Sequence, residues 1–556
     1  MPSRFGKCLL VTLVACCAWL VLPVYAQRAA SDAITAADLR NWLSFIASDT
    51  TQGREIFTEG AGIASSYIAD RLRTFDVEPA GENGTYFQTV KVLGVRNRGT
   101  STVTVTVKGQ SKTFKDGQGV RFQRNQGVKR VVTGEVEFVG YGLEFAPLNH
   151  HDYAGRDVTG KVAIYIGSGP QSFSDAQSVL VGNRAFEATT THHAVGAIGP
   201  TLTPNNRQQP GDGGRGERPD FQTTQRLDTV RPPQMTADDE FMSFVFSASG
   251  YDYADLKARA ERKESLPRVN LDAVRIRFDI EADYEVVQTR LSRNVVARVR
   301  GSDPQLRDTY LLYGAHYDHL GYAERPGGFV PDISRMCPGL QRTTPPPADI
   351  IFNGADDDGS GTVTLIALAK AYATGAKPKR SVLFVWHTGE ESGLYGSRFM
   401  ADYPLVPIDS VSAQLNIDMV GRYKCDDPAE GNTLYMVGSD RISTELHRLN
   451  EQANASLANP LTLDYTLNDP ADLESFYTRS DHFSYAAKGI PIIFFTTGLH
   501  RDYHAVTDEV DRIDFDKMTR IARLVYETGW RIANLDHIVA RDNKGPRAIT
   551  RANASR

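Results

Sequence analysis

The sequence predicts an α/β fold, a mainly parallel twisted sheet flanked by helices and interrupted by an inserted β-rich domain. Three observations predict it. From Asn294 onward, apolar runs alternate with segments of helical period. Those runs, among them TYLLYGAHY, SVLFVWHTG and IPIIFFTTG, are nearly unbroken, as in strands covered on both faces. Upstream, from about 128 to 285, the texture is strand-rich with glycine turns. At 556 residues the chain is long enough for two or three domains.

The elements follow in order. Residues 32–77 have helical character. Asp32, Thr35 or Asp38 caps a first helix running through Trp42 and Ile46, and a second spans Gly62 to Phe75. Val103, Val105 and Val107 alternate with threonines, which predicts a half-buried strand. VVTGEVEFVGYGLEF and DVTGKVAIYIGSG continue as strands and turns. Residues 200–235 have no apolar period and predict a long surface loop or disordered insert. Strands resume at VRIRFDIEADYEVV. After Asn294 come strands at VVARVRG, TYLLYGAHY, SVLFVWHTG, SAQLNIDMV and IPIIFFTTG. The helices are GTVTLIALAKAYA, LYGSRFMADY and a closing KMTRIARLVYETGWRIANL. The expected boundaries are 1–26 for a signal peptide, 27–127 for the first part of the main domain and 128–285 for the insert. The main domain then continues over 286–540, with a disordered tail over 541–556.

Composition narrows the function. Hydrophobic residues at 41% and charged residues at 23% are those of a soluble globular protein. A net charge of −5 with no basic block argues against nucleic acid as a partner. Arg4 and Lys7 precede an apolar run from Cys8 to Val24, and Val-Tyr-Ala ends at residue 26, the pattern of a secretory signal. Losing those two positive charges takes the net charge from −5 to −7. Location is therefore expected to be secreted or periplasmic, with a lipoprotein anchor at Cys16 as the alternative. No later segment is apolar enough to span a bilayer. Two cysteines remain, Cys337 and Cys425. In an oxidising compartment they are one disulfide or two free thiols. Both follow site motifs, which favours the disulfide.

Five motifs carry side chains that ligate divalent cations: His316 in LLYGAHYDHLG, Asp357 in NGADDDGSGT, Glu391 in VWHTGEESGLYGS, Asp418 in LNIDMVG and His504 in HRDYHAVTD. Two imidazoles and three carboxylates suit a pair of cations of the zinc class. Asp318 stands two residues after His316, where a carboxylate orients the ring. Asp356, Asp357 and Asp358 repel one another unless a cation neutralises them, and spacing alone does not say which one bridges. Glu390, beside Glu391, is free to act as a proton acceptor. Asp418 ends an apolar strand, where an unpaired carboxylate is costly. His500 is a rival ligand to His504, and Arg479-Ser480-Asp481-His482 forms a supporting polar cluster. His150-His151 and His192-His193 have no carboxylate company in sequence and are expected at the surface.

Together HYDHLG, GADDDGSG, GEESGLYGS, NIDMVG, RSDHFSYAAKGIP and DYHAVTD resemble the secreted co-catalytic di-zinc aminopeptidases, metallopeptidase family 28, and their glutamate carboxypeptidase-like relatives. The resemblance covers about 294–535. SDTTQGREIFTEGAGIASSYIADRLRTFDVEPAG resembles the family's N-terminal lead-in, and EFVGYGL with DVTGKVAIYIGSG resembles a protease-associated domain. The resemblance implies the zinc aminopeptidase fold and two Zn2+ per chain. It implies His316 and Asp418 on one zinc, Glu391 and His504 on the other, and Asp357 between them with a cis peptide to Asp358. It further implies Glu390 as general base, Asp318 as the residue orienting His316, and Tyr503 as a donor to the oxyanion. The substrates implied are peptides or proteins, cleaved at the N-terminal residue. One departure is the long segment AERPGGFVPDISRMCPGLQRTTPPPADI between His316 and Asp357, expected at the mouth of the site.

Three other readings compete. A carboxypeptidase needs cations for the substrate carboxylate, with Arg479, Arg501 and Arg422 as candidates. A glutaminyl cyclase uses one zinc, and a binding protein on this scaffold loses ligands. Metal content separates the readings at two, one or none.

Overall fold

The computed structural model describes residues 30–123, 125–174, 177–201, 219–223, 227–324, 330–469 and 471–543. The expected signal segment, Cys16 within it, and the tail beyond residue 543 lie outside the described residues. Among those described, no helix is long and apolar enough to cross a membrane.

The first helix, α1 (Ala36–Ile46), starts where Thr35 accepts the Asp38 N–H at 3.2 Å, so Thr35 is the cap among the three candidates. The second, α2 (Glu59–Thr74), begins three residues before the expected Gly62, with Thr58 as its cap. Strand β1 (Phe87–Asn97) then leads out of this body.

Eight strands close a barrel. In chain order they are β2 (Thr102–Val107), β3 (Gln110–Asp116), β4 (Gly119–Phe122), β5 (Arg130–Phe138), β6 (Val162–Ile164) and β7 (Gly196–Pro200). After β8 (Asp220–Thr223), which leaves the barrel, β9 (Gln234–Ala237) and β10 (Val274–Ile280) complete it. Val103, Val105, Phe114, Phe138 and Phe278 fill its interior. The barrel reaches back to Thr102, so the boundary expected at 128 falls inside it. The reason is long-range register: Val103 pairs with Phe278 and Val107 with Val274, and alternation within one strand does not name its partner. The stretch read as a structureless loop over 200–235 also contains β8, which pairs antiparallel with β1.

The main sheet continues with β11 (Tyr284–Val299), β12 (Tyr310–His316), helix α3 (Gly361–Thr374), β13 (Ser381–His387), α4 (Tyr395–Asp402) and β14 (Val411–Ile417). Next come β15 (Thr433–Val437), α5 (Thr444–Ala455), β16 (Thr462–Asp464), β17 (Ile492–Thr496) and α6 (Phe515–Ala533). Strand order is β8-β1-β11-β13-β12-β14-β17-β15-β16, with Glu78–Pro79 alongside β11. The sheet is mixed rather than mainly parallel. β13, β12, β14 and β17 run parallel, whereas β1, β11 and β13 are successively antiparallel, as are β17 and β15. A nearly unbroken apolar run reports burial on both faces, not strand direction.

Within β12 the side chains alternate between two cores. Leu311, Tyr313 and Ala315 pack under α1, α3 and α6, while Tyr310 and Leu312 join the opposite layer with Phe483 and Ile492. The four parallel strands end on one edge, so the segments that follow each of them meet there. The start of the polar tail is ordered: Asp542 accepts the N–H of Thr444 at 2.8 Å, capping α5 against the expectation of disorder from 541. The histidine pairs have carboxylate partners after all: His150 with Asp152, two residues on in the chain, and His151 with Glu144 across a turn, both at 2.9 Å, and His192 with Glu187 at 3.6 Å.

Candidate metal centre

His316 is the last residue of β12, Glu390 and Glu391 follow β13, and Asp418 follows β14 directly. His504 lies in the loop after β17 and Asp357 in the turn before α3. These positions converge at the carboxyl edge of the parallel strands.

Asp357 stands at the centre. Its Oδ1 lies 3.3 Å from His316 Nε2, and its Oδ2 lies 3.1 Å from His504 Nε2. His316 Nε2 is also 3.6 Å from Asp418 Oδ1, and His504 Nε2 is 3.1 Å from Glu391 Oε2. Two donor sets arise that share Asp357. Within His316, Asp357 and Asp418 the ligand-type atoms lie within 4.8 Å of one another, as they do within His319, Asp357 and Glu391. Buried nitrogen and carboxylate donors at that spacing fit a pair of zinc-class cations.

The aspartate turn is held from several sides. The peptide between Asp357 and Asp358 is cis. The Asp358 carboxylate accepts the backbone N–H groups of His316, Gly361 and Met419 at 2.9–3.2 Å, so it acts as a structural tie. Residue 361 must be glycine here, since a Cβ would sit 2.3 Å from both Asp358 Oδ1 and the carbonyl oxygen of Ile417. The Asp508 carboxylate accepts the N–H groups of Asp356 and Asp357. His500 turns away from the cluster, its Nε2 3.3 Å from Asp356 Oδ2.

His316 Nδ1 donates to the carbonyl oxygen of Asp318 at 3.1 Å, and the Asp318 carboxylate is farther, at 3.8 Å. The ring is thus oriented chiefly by the backbone, with Nε2 left to face Asp357 and Asp418. The carboxylate of Asp318 instead accepts the Glu390 N–H at 3.1 Å. Ser480 Oγ donates to Asp418 Oδ2 at 2.6 Å. Tyr503 stacks on His504 with centroids 3.9 Å apart, and its hydroxyl accepts from Arg479 Nη2 at 3.0 Å.

The charges are strongly coupled. Burial pushes the Asp357 carboxyl up, but His316 and His504 hold it well below the usual carboxylate range. Burial pushes Glu390 well above that range, opposed by His316 and reinforced by Glu391 and Asp418. Burial likewise raises Asp318 to about 7.

Two participants escaped the sequence reading. His319 Nδ1 donates to Glu391 Oε1 at 2.8 Å. Its signal was a second histidine inside the motif of His316. Arg54, completely buried, donates to the carbonyls of Tyr317, Ile46, Asn353 and Gly354 at 2.6–2.9 Å. Its signal was an arginine in the otherwise small, polar TQGREIF.

A cleft of about 290 Å³ opens over the cluster, walled by Leu394, Met419, Phe476, Phe494 and Leu499, with Arg398 and Arg479 at its polar side. Among the described residues that line the cleft, none lies between His316 and Asp357, although that segment is tied to residues beside it. Cys337 is disulfide-bonded to Cys425, and Arg342 donates to the carbonyls of Arg501 and Tyr503 at 2.9 and 2.7 Å.

Residues 294–529 match the model for peptidase family M28. A probable leucine aminopeptidase of Arthroderma otae is 29% identical over 189 residues, 32% of this chain and 48% of that protein. Leucine aminopeptidase 1 of Trichophyton equinum is 26% identical over 245 residues, 42% of this chain and 56% of that protein. The chain spans about half the length of these curated relatives. Among solved structures, an aminopeptidase from Aneurinibacillus sp. strain AM-1 superposes with a TM-score of 0.45 at 18% identity, covering 92% of this chain and 97% of that one. The zinc aminopeptidase BSAP of Bacillus subtilis gives 0.42 at 14%, covering 94% and 99%.

Proposed function

We propose, from the peptidase family M28 domain that residues 294–529 form, that this chain is a zinc-dependent exopeptidase releasing N-terminal residues from peptides. The observation that carries the reading is Asp357, whose two oxygens each face a different histidine. His316 and Asp418 would hold one zinc and His504 and Glu391 the second, with Asp357 placed to serve both. Bound zinc supplies Lewis-acid polarisation of a water and of the peptide carbonyl.

The remaining steps belong to side chains. Glu390 lines the cleft, and burial keeps its carboxyl prone to hold a proton. It takes the proton of the attacking water and returns it to the leaving amine. The bond from the Glu390 N–H to Asp318 fixes where that carboxyl hangs. Tyr503 accepts from Arg479, so its own O–H points its proton at the developing oxyanion. The apolar wall of the cleft supports an apolar first residue in the substrate. The Cys337–Cys425 bond supports an oxidising, extracytoplasmic location. The barrel is the part read as a protease-associated domain. A carboxypeptidase is the second reading, favoured by Arg398 and Arg479 at the cleft.

The test is hydrolysis of aminoacyl anilides and of N-blocked peptides, with and without chelator, alongside metal analysis. Chelator-sensitive release from free N-termini with two zincs per chain is expected. Cleavage of blocked peptides from the carboxyl end would replace this reading with the second.

A further inference from the structure

A second cavity lies at the seam between the barrel and the catalytic body. It has a volume of about 360 Å³ and is lined from the barrel side by Gln123, Asn183, Thr189 and Arg231, and from the catalytic side by Ser475 and Thr478. Its lining is mainly hydroxyl and amide groups around one guanidinium. Arg231 is half-buried, and no described residue accepts a hydrogen bond from it or pairs with it as an ion. Burial also pulls the guanidinium below its ordinary value, opposed in part by Tyr284 and Asp220. Asp220 acts on it only through space, with no ion pair between them, and a desolvated guanidinium so placed favours a carboxylate, which it takes in a bidentate fork. Amides and hydroxyls around it suit a peptide backbone.

The cavity shares a wall with the catalytic cleft. Ser475 and Thr478 face the cavity, while Phe476, Arg479 and Ser480 of the same strip line the cleft. Arg479 donates to Tyr503 and Ser480 to Asp418. An occupant of the cavity therefore rests on the strip that braces the metal cluster.

We propose that this seam cavity is a subsite for the free carboxyl end of a peptide, with Arg231 as its counter-charge. The peptide is either the substrate's own tail or a second peptide bound in trans. The chemistry is the same in both cases. The subsite does not depend on which end of a peptide is cleaved.

The experiment has two arms. In the first, the zinc-loaded enzyme hydrolyses peptides of graded length with free or amidated carboxyl ends, and aminoacyl anilides that carry no carboxylate. In the second, calorimetry measures binding of an N-acetylated peptide acid and its amide to the Glu390→Gln protein, a readout that needs no turnover. A preference of about tenfold for the free acid at some length, erased by Arg231→Gln with anilide hydrolysis unchanged, supports the subsite in cis. Acid-selective binding lost in Glu390→Gln/Arg231→Gln, without that preference in turnover, supports it in trans. Equal behaviour of acid and amide in both arms overturns the proposal. So does a loss of anilide hydrolysis and thermal stability in both Arg231→Gln and Arg231→Lys, which makes the residue structural. Anilide hydrolysis by the unaltered enzyme tests the exopeptidase reading separately.

Discussion

Arg54 Nη2 donates to the carbonyl oxygen of Gly354 at 2.9 Å, tying the turn after α1 to the aspartate turn 300 residues later. The same guanidinium reaches Tyr317 beside His316, so one buried cation braces both the aspartate turn and the end of β12. Replacing it leaves several buried carbonyls without donors. Arg54→Met is expected to cost about 3–5 kcal/mol of stability. Chemical denaturation measures that loss, and zinc titration is expected to show weakened binding. Arg54→Lys, with a single point charge, should recover only part of either.

Glu390→Gln keeps the shape of the side chain and removes its basicity. Turnover is expected to fall by a factor of about 10²–10⁴ while metal content stays unchanged. Activity near the wild-type level in the variant would remove Glu390 from the mechanism.

The Cys337–Cys425 bond joins residues 88 apart in sequence. The chain-entropy argument gives about 4–5 kcal/mol for a loop of that length. Cys337→Ser/Cys425→Ser should lower the melting temperature accordingly. Because Cys425 N–H also donates to Leu499, a cleft residue, KM for peptides should rise as well. A melting curve identical to wild type would mean that the surrounding packing holds the strap unaided.

Asp426 gives a prediction in pH. Its carboxylate pairs with Arg422 at 2.6 Å and with Arg501 Nε at 2.9 Å, and it accepts the Arg501 N–H. Burial pushes it up, but Arg422 and the Arg501 donors hold it below its ordinary value. A depressed carboxyl stabilises the fold above its unfolded value of about 3.9 and loses that contribution as pH falls through the lower folded value. Asp426→Asn should therefore lower stability at neutral pH and flatten the acid limb below pH about 4. Parallel acid-unfolding curves for the two proteins would contradict it.

Much of the cluster was legible because His316, Glu391 and Asp418 stand at or just after the end of an apolar run. His316 ends a strand whose other residues are aliphatic, aromatic or glycine, and Asp418 directly follows Ile417 at the end of β14. The direction of Val295–Val299 was not legible, since the same apolar run suits either pairing. Arg54 and His319 were hidden for a different reason. Their roles depend on carbonyls and carboxylates brought in from distant segments, and no local period encodes that. TLYMV carried a strand signal, yet β16 is only three residues long and α5 is mostly polar, so that edge of the sheet left little trace.

β1 and β11 pair from Phe87 with Val295 out to Asn97 with Tyr284, and the chain enters and leaves the barrel at that far end. The barrel thus hangs on a two-stranded stalk whose tips are already neighbours. Excising the residues between Asn97 and Tyr284 and joining the tips with a tight turn would leave every pair of the stalk intact. It would also strip β8 from Val92–Val95, baring an edge strand whose open N–H and C=O groups invite another chain. The barrel's return segment is in this sense a guard rail, and a trimmed chain needs a lysine or proline along that rim to keep the bared edge from pairing.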